Sequence, residues 1–226
     1  MRECLYCHQY IDKSMSFACL FNQEKAYLCS ECVSKLEKVQ GGCRRCGKKT
    51  TDEICSDCLY WQSLQDTNKY LVNNTSLYYY NDFAKALIQQ LKFLGDCKLL
   101  LAFKPDIQAI FKKVKHNNII LVPVPLHEER LAERGFNQSY LLAKLIKLPI
   151  LDIVIRNDNT KQSKKRKQAR IVIDNQYQLK EEVDLTNKTI IIVDDIYTTG
   201  ATIHKIARLF FNSGVKKIYS FTLFRS

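Results

Sequence analysis

Two constellations in this chain of 226 residues pair residue types and spacing in a way that could do chemistry. The first runs Asp194-Asp195 and then Thr198-Thr199-Gly200-Ala201-Thr202. Threonine hydroxyls, a glycine that admits close backbone approach, and free N–H groups at the start of a following helix make a phosphate cradle, favoured by hydrogen bonds and by the helix dipole. Two adjacent carboxylates just before it would repel another phosphate, but they suit ribose hydroxyls or a Mg2+ ion beside them. Phosphate on one side and sugar hydroxyls on the other describe a ribose 5-phosphate. The plain alternative is an ordinary strand-to-helix loop with solvent-facing aspartates.

The second constellation is four Cys-x-x-Cys pairs, Cys4/Cys7, Cys29/Cys32, Cys43/Cys46 and Cys55/Cys58. Each pair turns two thiolates towards one point, and two pairs complete a tetrahedral Zn2+ site. Taken in order they predict two Cys4 sites, although an interleaved pairing (first with third, second with fourth) satisfies the spacing too. Disulfides are disfavoured in a reducing compartment, and redox dithiols lack a surrounding βαβ pattern. Cys19 and Cys97 read as packed apolar residues, and His8 is not needed as a ligand.

Strands and helices must position these groups. Ile119–Val122 reads as a buried strand ending at Pro123-Val124-Pro125, followed by a helical stretch from 126 to 147. Ile150–Ile155 and Ile218–Phe224 are further strand candidates, and Thr189–Val193 is a β-branched run too apolar for a one-sided sheet. That run is expected to stop at the aspartates and deliver them to a ligand crevice. Helical spacing resumes at Ile203, Ile206, Ala207, Phe210 and Phe211, up to Ser213-Gly214. Another helix, from Asp82 to Leu94, is expected to bury Ala84, Leu87, Ile88 and Leu91, with Asn81 or Asp82 as its cap. Tyr78-Tyr79-Tyr80 fits a half-buried strand with alternate rings in the core better than a base-stacking platform. Strand, helix, strand in this order implies a parallel sheet.

The segment Ile190–Thr202 resembles the 13-residue phosphoribosyl pyrophosphate (PRPP) motif of type I phosphoribosyltransferases. Val122-Pro123-Val124-Pro125-Leu126, Arg130, Arg134-Gly135-Phe136-Asn137-Gln138, Lys92-Phe93-Leu94-Gly95-Asp96 and the cysteine pairs together resemble the ComF family over nearly the whole chain. The resemblance implies an α/β fold: a type I phosphoribosyltransferase-like parallel sheet over residues 61–226, with a small Cys4 zinc-binding module over 1–60. Asp194 and Asp195 would be the catalytic pair on the ribose 2′- and 3′-hydroxyls. Thr198, Thr199, Gly200, Ala201 and Thr202 would hold the 5′-phosphate, and Mg2+ would bridge pyrophosphate and sugar; Arg134, with Arg130 on the same helix face, could grip the pyrophosphate or pair with Glu129 or Glu133 as a surface charge. Expected partners are PRPP or ribose 5-phosphate, single-stranded DNA, and a ComFA-like helicase ATPase of the DNA-uptake machinery.

Charge narrows the partners. The chain carries +12, almost all of it after residue 58: residues 1–58 hold nine basic and eight acidic side chains, the remainder 26 and 15. Two zinc–tetrathiolate sites would lower the total to about +8 and leave the module near −3, a poor autonomous DNA clamp. The surplus favours polyanions. Lys161, Lys164, Lys165, Arg166, Lys167 and Arg170 form a basic segment that could shield a pyrophosphate, run along a nucleic-acid backbone, or simply be solvated. Thr160 and Gln162 sit where the transferases carry a loop pattern, with altered spacing.

No run of 18 apolar residues and no charged-then-apolar leader is visible, so a cytoplasmic protein is expected. Two functions compete: a DNA-uptake component with a PRPP-type pocket, and a working transferase moving ribose 5-phosphate to an acceptor. A salvage or repair enzyme is a third. No base-specificity segment stands out, which favours the uptake role.

Overall fold

The computed structural model describes residues 2–11, 27–64, 72–112, 114, 118–157 and 176–226. The basic segment Lys161–Arg170, with Thr160 and Gln162, lies outside the described residues, as does Cys19.

The cysteine segment begins with a small antiparallel pair, β1 (Arg2–Glu3) and β2 (Tyr10–Ile11). Helices α1 (Ser30–Ser34) and α2 (Ser56–Ser63) each start directly after a knuckle cysteine, Cys29 and Cys55. Strand β3 (Asn73–Tyr79) leads to α3 (Asp82–Phe93), a 3-10 helix (Cys97–Phe103) and α4 (Lys104–Phe111). Then come β4 (Ile119–Pro123), α5 (Glu128–Arg134), α6 (Gln138–Ile146) and a small hairpin of β5 (Val154–Arg156) and β6 (Tyr177–Leu179). Strand β7 (Thr189–Tyr197), α7 (Ala201–Leu209) and β8 (Lys217–Arg225) close the chain.

The main sheet is parallel, in the order β3-β8-β7-β4. Both its faces are covered, as the unbroken apolar run of β7 requires. Ile191 and Val193 pack with α3, the 3-10 helix, α4 and α6, while Ile190 and Ile192 pack with α7, Tyr177 of β6 and the later cysteines. Helix α3 keeps the predicted cap and inner face: Asn81 Oδ1 accepts from the Ala84 amide at 2.9 Å, and Ala84, Leu87, Ile88 and Leu91 are buried.

Three elements differ from the sequence expectation. The helical stretch 126–147 is two helices, because Gly135 adopts φ +72° and ends α5, and Asn137 caps α6 through bonds from the Ser139 and Tyr140 amides. The apolar run 150–155 is not a further strand of the main sheet. Residues Pro149–Leu151 touch the edge of β4 through Leu121, and the chain then leaves to form the hairpin. Tyr78 and Tyr79 are both buried, not alternately: β3 has cover on both sides, Tyr78 against Phe103 and Phe224 and Tyr79 under the Lys49 ammonium.

The cysteine segment supplies that second cover and shields the free edge of β3. Lys38 bridges Tyr78 in antiparallel fashion; Val39 N donates to Leu77 O, Tyr79 N to Glu37 O and Asn74 N to Arg45 O. An unpaired parallel edge would otherwise present open backbone groups.

Candidate functional site

The paired carboxylates lie inside β7 rather than beyond its end. Pairing to β8 continues at Asp194, Ile196 and Tyr197, so the sheet fixes the backbone of Asp194 and of the residues that flank Asp195. Pairing to β4 ends at Val193, and Val124 N donates to Val193 O as the two strands part. Asn137 spans this opening: its Nδ2 donates to Val124 O at 3.0 Å while its Oδ1 caps α6, which aims the start of α6 at the aspartates. Ser139 Oγ donates to Asp194 Oδ1 at 2.9 Å, and the Asp195 amide donates to the same oxygen at 2.9 Å. From the other side Lys92, in the last turn of α3, sets its ammonium 2.5 Å from Asp195 Oδ2.

The pair is electrostatically uneven. Burial first, and then the neighbouring Asp195 charge, push the Asp194 carboxyl up to about 8, against the opposing hydrogen bonds from the Asp195 amide and Ser139. Asp195 has a cation in contact to offset its charge. Gln138, next in the chain to Ser139, is 5% exposed, and its Oε1 has no hydrogen-bond partner among the described residues. A buried acceptor left in this state is what a bound hydroxyl or ordered water satisfies.

The turn after β7 is short. Thr198 and Thr199 are exposed, Gly200 caps α7 at φ +84°, and a Cβ there would lie 2.3 Å from Tyr197 Oη. Only glycine fits. The Ala201 amide donates to Thr199 Oγ1 at 3.4 Å, while those of Thr202 and Ile203, in the first turn of α7, have no acceptor within the helix and so present an anion-binding end.

The predicted residues therefore separate into three groups. Asp194, Asp195, Thr198, Thr199, Gly200, Ala201 and Thr202 come together at the C-terminal end of β7. Arg134 lies at the end of α5, with its guanidinium 5.9 Å from the centre of the Phe93 ring, next in sequence to Lys92. Phe93 is 76% exposed, so this stack forms an open rim, and Arg130 is exposed one turn earlier. Sequence reasoning assigned no role to Lys92, Gln138 or Ser139. The first two stood in family segments, but only the fold carries Lys92 and Ser139 to the carboxylates.

The cysteines form two clusters, Cys4/Cys7/Cys29/Cys32 and Cys43/Cys46/Cys55/Cys58, each with its sulfurs within 4.8 Å of one another. The sequential pairing holds and the interleaved one does not. Cys7 and Cys29 sulfurs lie 3.7 Å apart, and Cys46 and Cys55 sulfurs 3.6 Å. Tetrahedral Zn–S bonds of about 2.3 Å require sulfur–sulfur edges of roughly 3.8 Å, whereas a disulfide needs about 2 Å. Both clusters fit a zinc ion. In the second, the Cys46 thiol is held down to about 4, first by a hydrogen bond from Cys58 and, against the cost of burial, also by Arg225. Cys58 is pushed up by its bond to Cys46 and by burial, so a dication is what allows all four to be thiolates together. His8 is exposed and outside both clusters, and Cys97 is half-buried, with burial pushing its thiol up.

Residues 107–226 match the phosphoribosyl transferase domain. The chain is 38% identical to competence protein ComFC of Bacillus subtilis, over 99% of this chain and 95% of that protein. It is 30% identical to competence protein ComFC of Streptococcus pneumoniae, over 99% of this chain and all of that one. The chain belongs to the ComF family. A more distant member, competence protein F of Haemophilus influenzae, is 24% identical over 88% of this ComF chain and 90% of its own. Among the described residues no helix is long and apolar enough to cross a membrane. The ComF chain thus joins a phosphoribosyl transferase domain to two cysteine clusters, and each cluster could hold zinc.

Proposed function

We propose that this ComF protein acts in DNA uptake during natural transformation, binding Mg·PRPP through its ribose 5-phosphate and pyrophosphate groups and binding single-stranded DNA. Family membership supports the uptake role. The pocket reading rests on one juxtaposition: two carboxylates fixed in β7 stand immediately before a glycine-capped turn that opens into α7. In this reading Asp194 and Asp195 accept from the ribose 2′- and 3′-hydroxyls, and the Thr198–Thr202 turn seats the 5′-phosphate. Gln138 supplies a further acceptor, and Arg134 reaches the pyrophosphate that Mg2+ accompanies. Zinc is structural, in a module over residues 1–60, and the sugar-phosphate domain spans 61–226. The basic segment Lys161–Arg170 follows the DNA backbone, a ComFA-like ATPase is the protein partner, and the cytoplasm is the site of action.

The test is calorimetry with Mg·PRPP on the wild type and on Asp194→Asn/Asp195→Asn. Binding by the wild type and loss in the double variant are expected; equal affinity would remove the carboxylates from the site.

A second reading, transfer of ribose 5-phosphate to an acceptor, is favoured by the raised Asp194 carboxyl. A carboxyl raised by burial and a neighbouring charge suits proton transfer to or from a reacting group. Pyrophosphate release from Mg·PRPP that depends on an added acceptor would establish it.

A further inference from the structure

The phosphate-type turn is gripped from behind by the second cysteine cluster. Arg225, the last residue of β8, is 1% exposed. Its Nη2 donates to Cys46 Sγ at 3.2 Å, while Nη1 donates to Thr198 O at 2.8 Å and to Tyr197 O at 3.0 Å. The guanidinium also lies over the Tyr197 ring, 5.1 Å from its centre, and contacts Ser226 O. Three residues after Cys58, Trp61 donates from Nε1 to Thr199 O at 2.6 Å and stacks on His204 of α7, with centroids 4.4 Å apart and planes 12° apart.

Two physical consequences follow. A buried guanidinium is costly unless its charge and donors are matched. Among the described residues no Asp or Glu side chain pairs with Arg225 and its Nε has no partner, so the thiolate cluster, which with Zn2+ would carry −2, contributes counter-charge through Cys46. Each peptide is planar and trans, so fixing a carbonyl in one direction aims the next amide N–H the opposite way. Arg225 holds the Tyr197 and Thr198 carbonyls and Trp61 holds the Thr199 carbonyl. The Thr198, Thr199 and Gly200 N–H groups are therefore directed away from those donors, an arrangement in which successive amides can bind an anion.

We infer that Arg225 and Trp61 are positioning residues through which the Cys43/Cys46/Cys55/Cys58 cluster orients the Tyr197–Gly200 peptides, so that the second metal site sets the affinity of the phosphate seat. This rests on the sugar-phosphate reading of the pocket. The device explains why the cluster is packed under β7 and α7 rather than held on an outlying finger. It makes the metal state of the module a determinant of ligand binding without placing the metal in contact with the ligand.

The test uses full-length, zinc-loaded protein. Trp61→Phe keeps a smaller ring to stack on His204 and removes the Nε1–H donor; Arg225→Lys keeps the charge and removes the planar fork. Zinc content, amide hydrogen exchange across residues 197–209, and calorimetric affinities for Mg·PRPP and for Mg·pyrophosphate are measured on each. Both variants are expected to keep two zinc ions, to exchange faster across 197–209, and to bind Mg·PRPP about fivefold more weakly, the scale of one net hydrogen bond. Mg·pyrophosphate affinity should not change, a selectivity that general loosening of the fold would not produce. Unchanged exchange in Trp61→Phe overturns the inference, and so does faster exchange with undiminished Mg·PRPP affinity. If the wild type binds no Mg·PRPP, the pocket reading fails by itself and the exchange result still decides whether the brace exists. Should Arg225→Lys not fold, Trp61→Phe alone decides.

Discussion

Asp194 and Asp195 are neighbours in sequence with opposite surroundings. Lys92 offsets the charge of Asp195, while Asp194 has only the Ser139 hydroxyl and an amide to set against burial and a like charge. The sign of its pH effect follows. Its folded pKa is raised from the ordinary 3.8 to about 8, so the native state holds this proton more tightly than the unfolded chain. The resulting stability is fully present below about pH 4 and is lost as pH rises through about 8. Asp194→Asn should therefore melt at a higher temperature than the wild type at pH 9, with the gain shrinking towards pH 5. Thermal denaturation at the two pH values checks this, and a gain equal at both would refute the assigned cause. The site stores destabilisation where a hydroxylated ligand or a cation would relieve it. Serine, lysine and aspartate identities were visible in the sequence, but the placement of Lys92 on one carboxylate and Ser139 on the other was not.

At the scale of elements, the site is a meeting of chain ends. Strand β7 supplies the carboxylates, the turn and α7 supply N–H groups, α6 arrives by its capped start, and α3 by its last turn. Apolar periodicity located β4, β7, α3, α7 and β8 closely, because each buries a regular stripe or a continuous run. It missed the break at Gly135 because both resulting helices satisfy the same spacing, and a single left-handed residue separates them. It stopped β7 early because the aspartates look like the end of an apolar run, whereas β8 continues to pair with their backbone. Gly200 is the most exacting position here. Gly200→Ala should cost roughly 1–2 kcal/mol for the left-handed conformation alone, before the contact with Tyr197 Oη is counted. A lowered denaturation midpoint together with weakened Mg·PRPP binding is expected. Wild-type stability in this variant would show that the turn adapts.

For the whole molecule, the cysteine module and the sheet share their packing. The first cluster packs with Tyr6, Leu36, Phe83 and Ala102, towards α3 and the 3-10 helix. The second enters the core beneath Ile190, Ile192 and Ile203. Metal analysis should find two zinc ions per chain. Cys43→Ser should lower the melting temperature more than Cys4→Ser, because the second cluster lies in the larger core and contacts Arg225; the reverse order would contradict that packing. The excess positive charge after residue 58 predicts single-stranded DNA binding by the full chain, with log affinity falling by about 0.7 per phosphate contact per log unit of salt. A shift assay without binding at low salt would remove nucleic acid from the account. The sequence by itself determined the ligand types: thiol pairs with two residues between them, adjacent carboxylates and a hydroxyl-rich turn are local patterns whose chemistry survives in any compatible fold. It also determined the parallel sheet, since burial on both faces leaves an unbroken apolar run. Only the tertiary structure decided which cysteine pairs combine, which carboxylate meets Lys92, and that Arg225 and Trp61 connect a cysteine cluster to the turn. Those properties depend on distances between residues up to 179 positions apart, which local spacing does not encode.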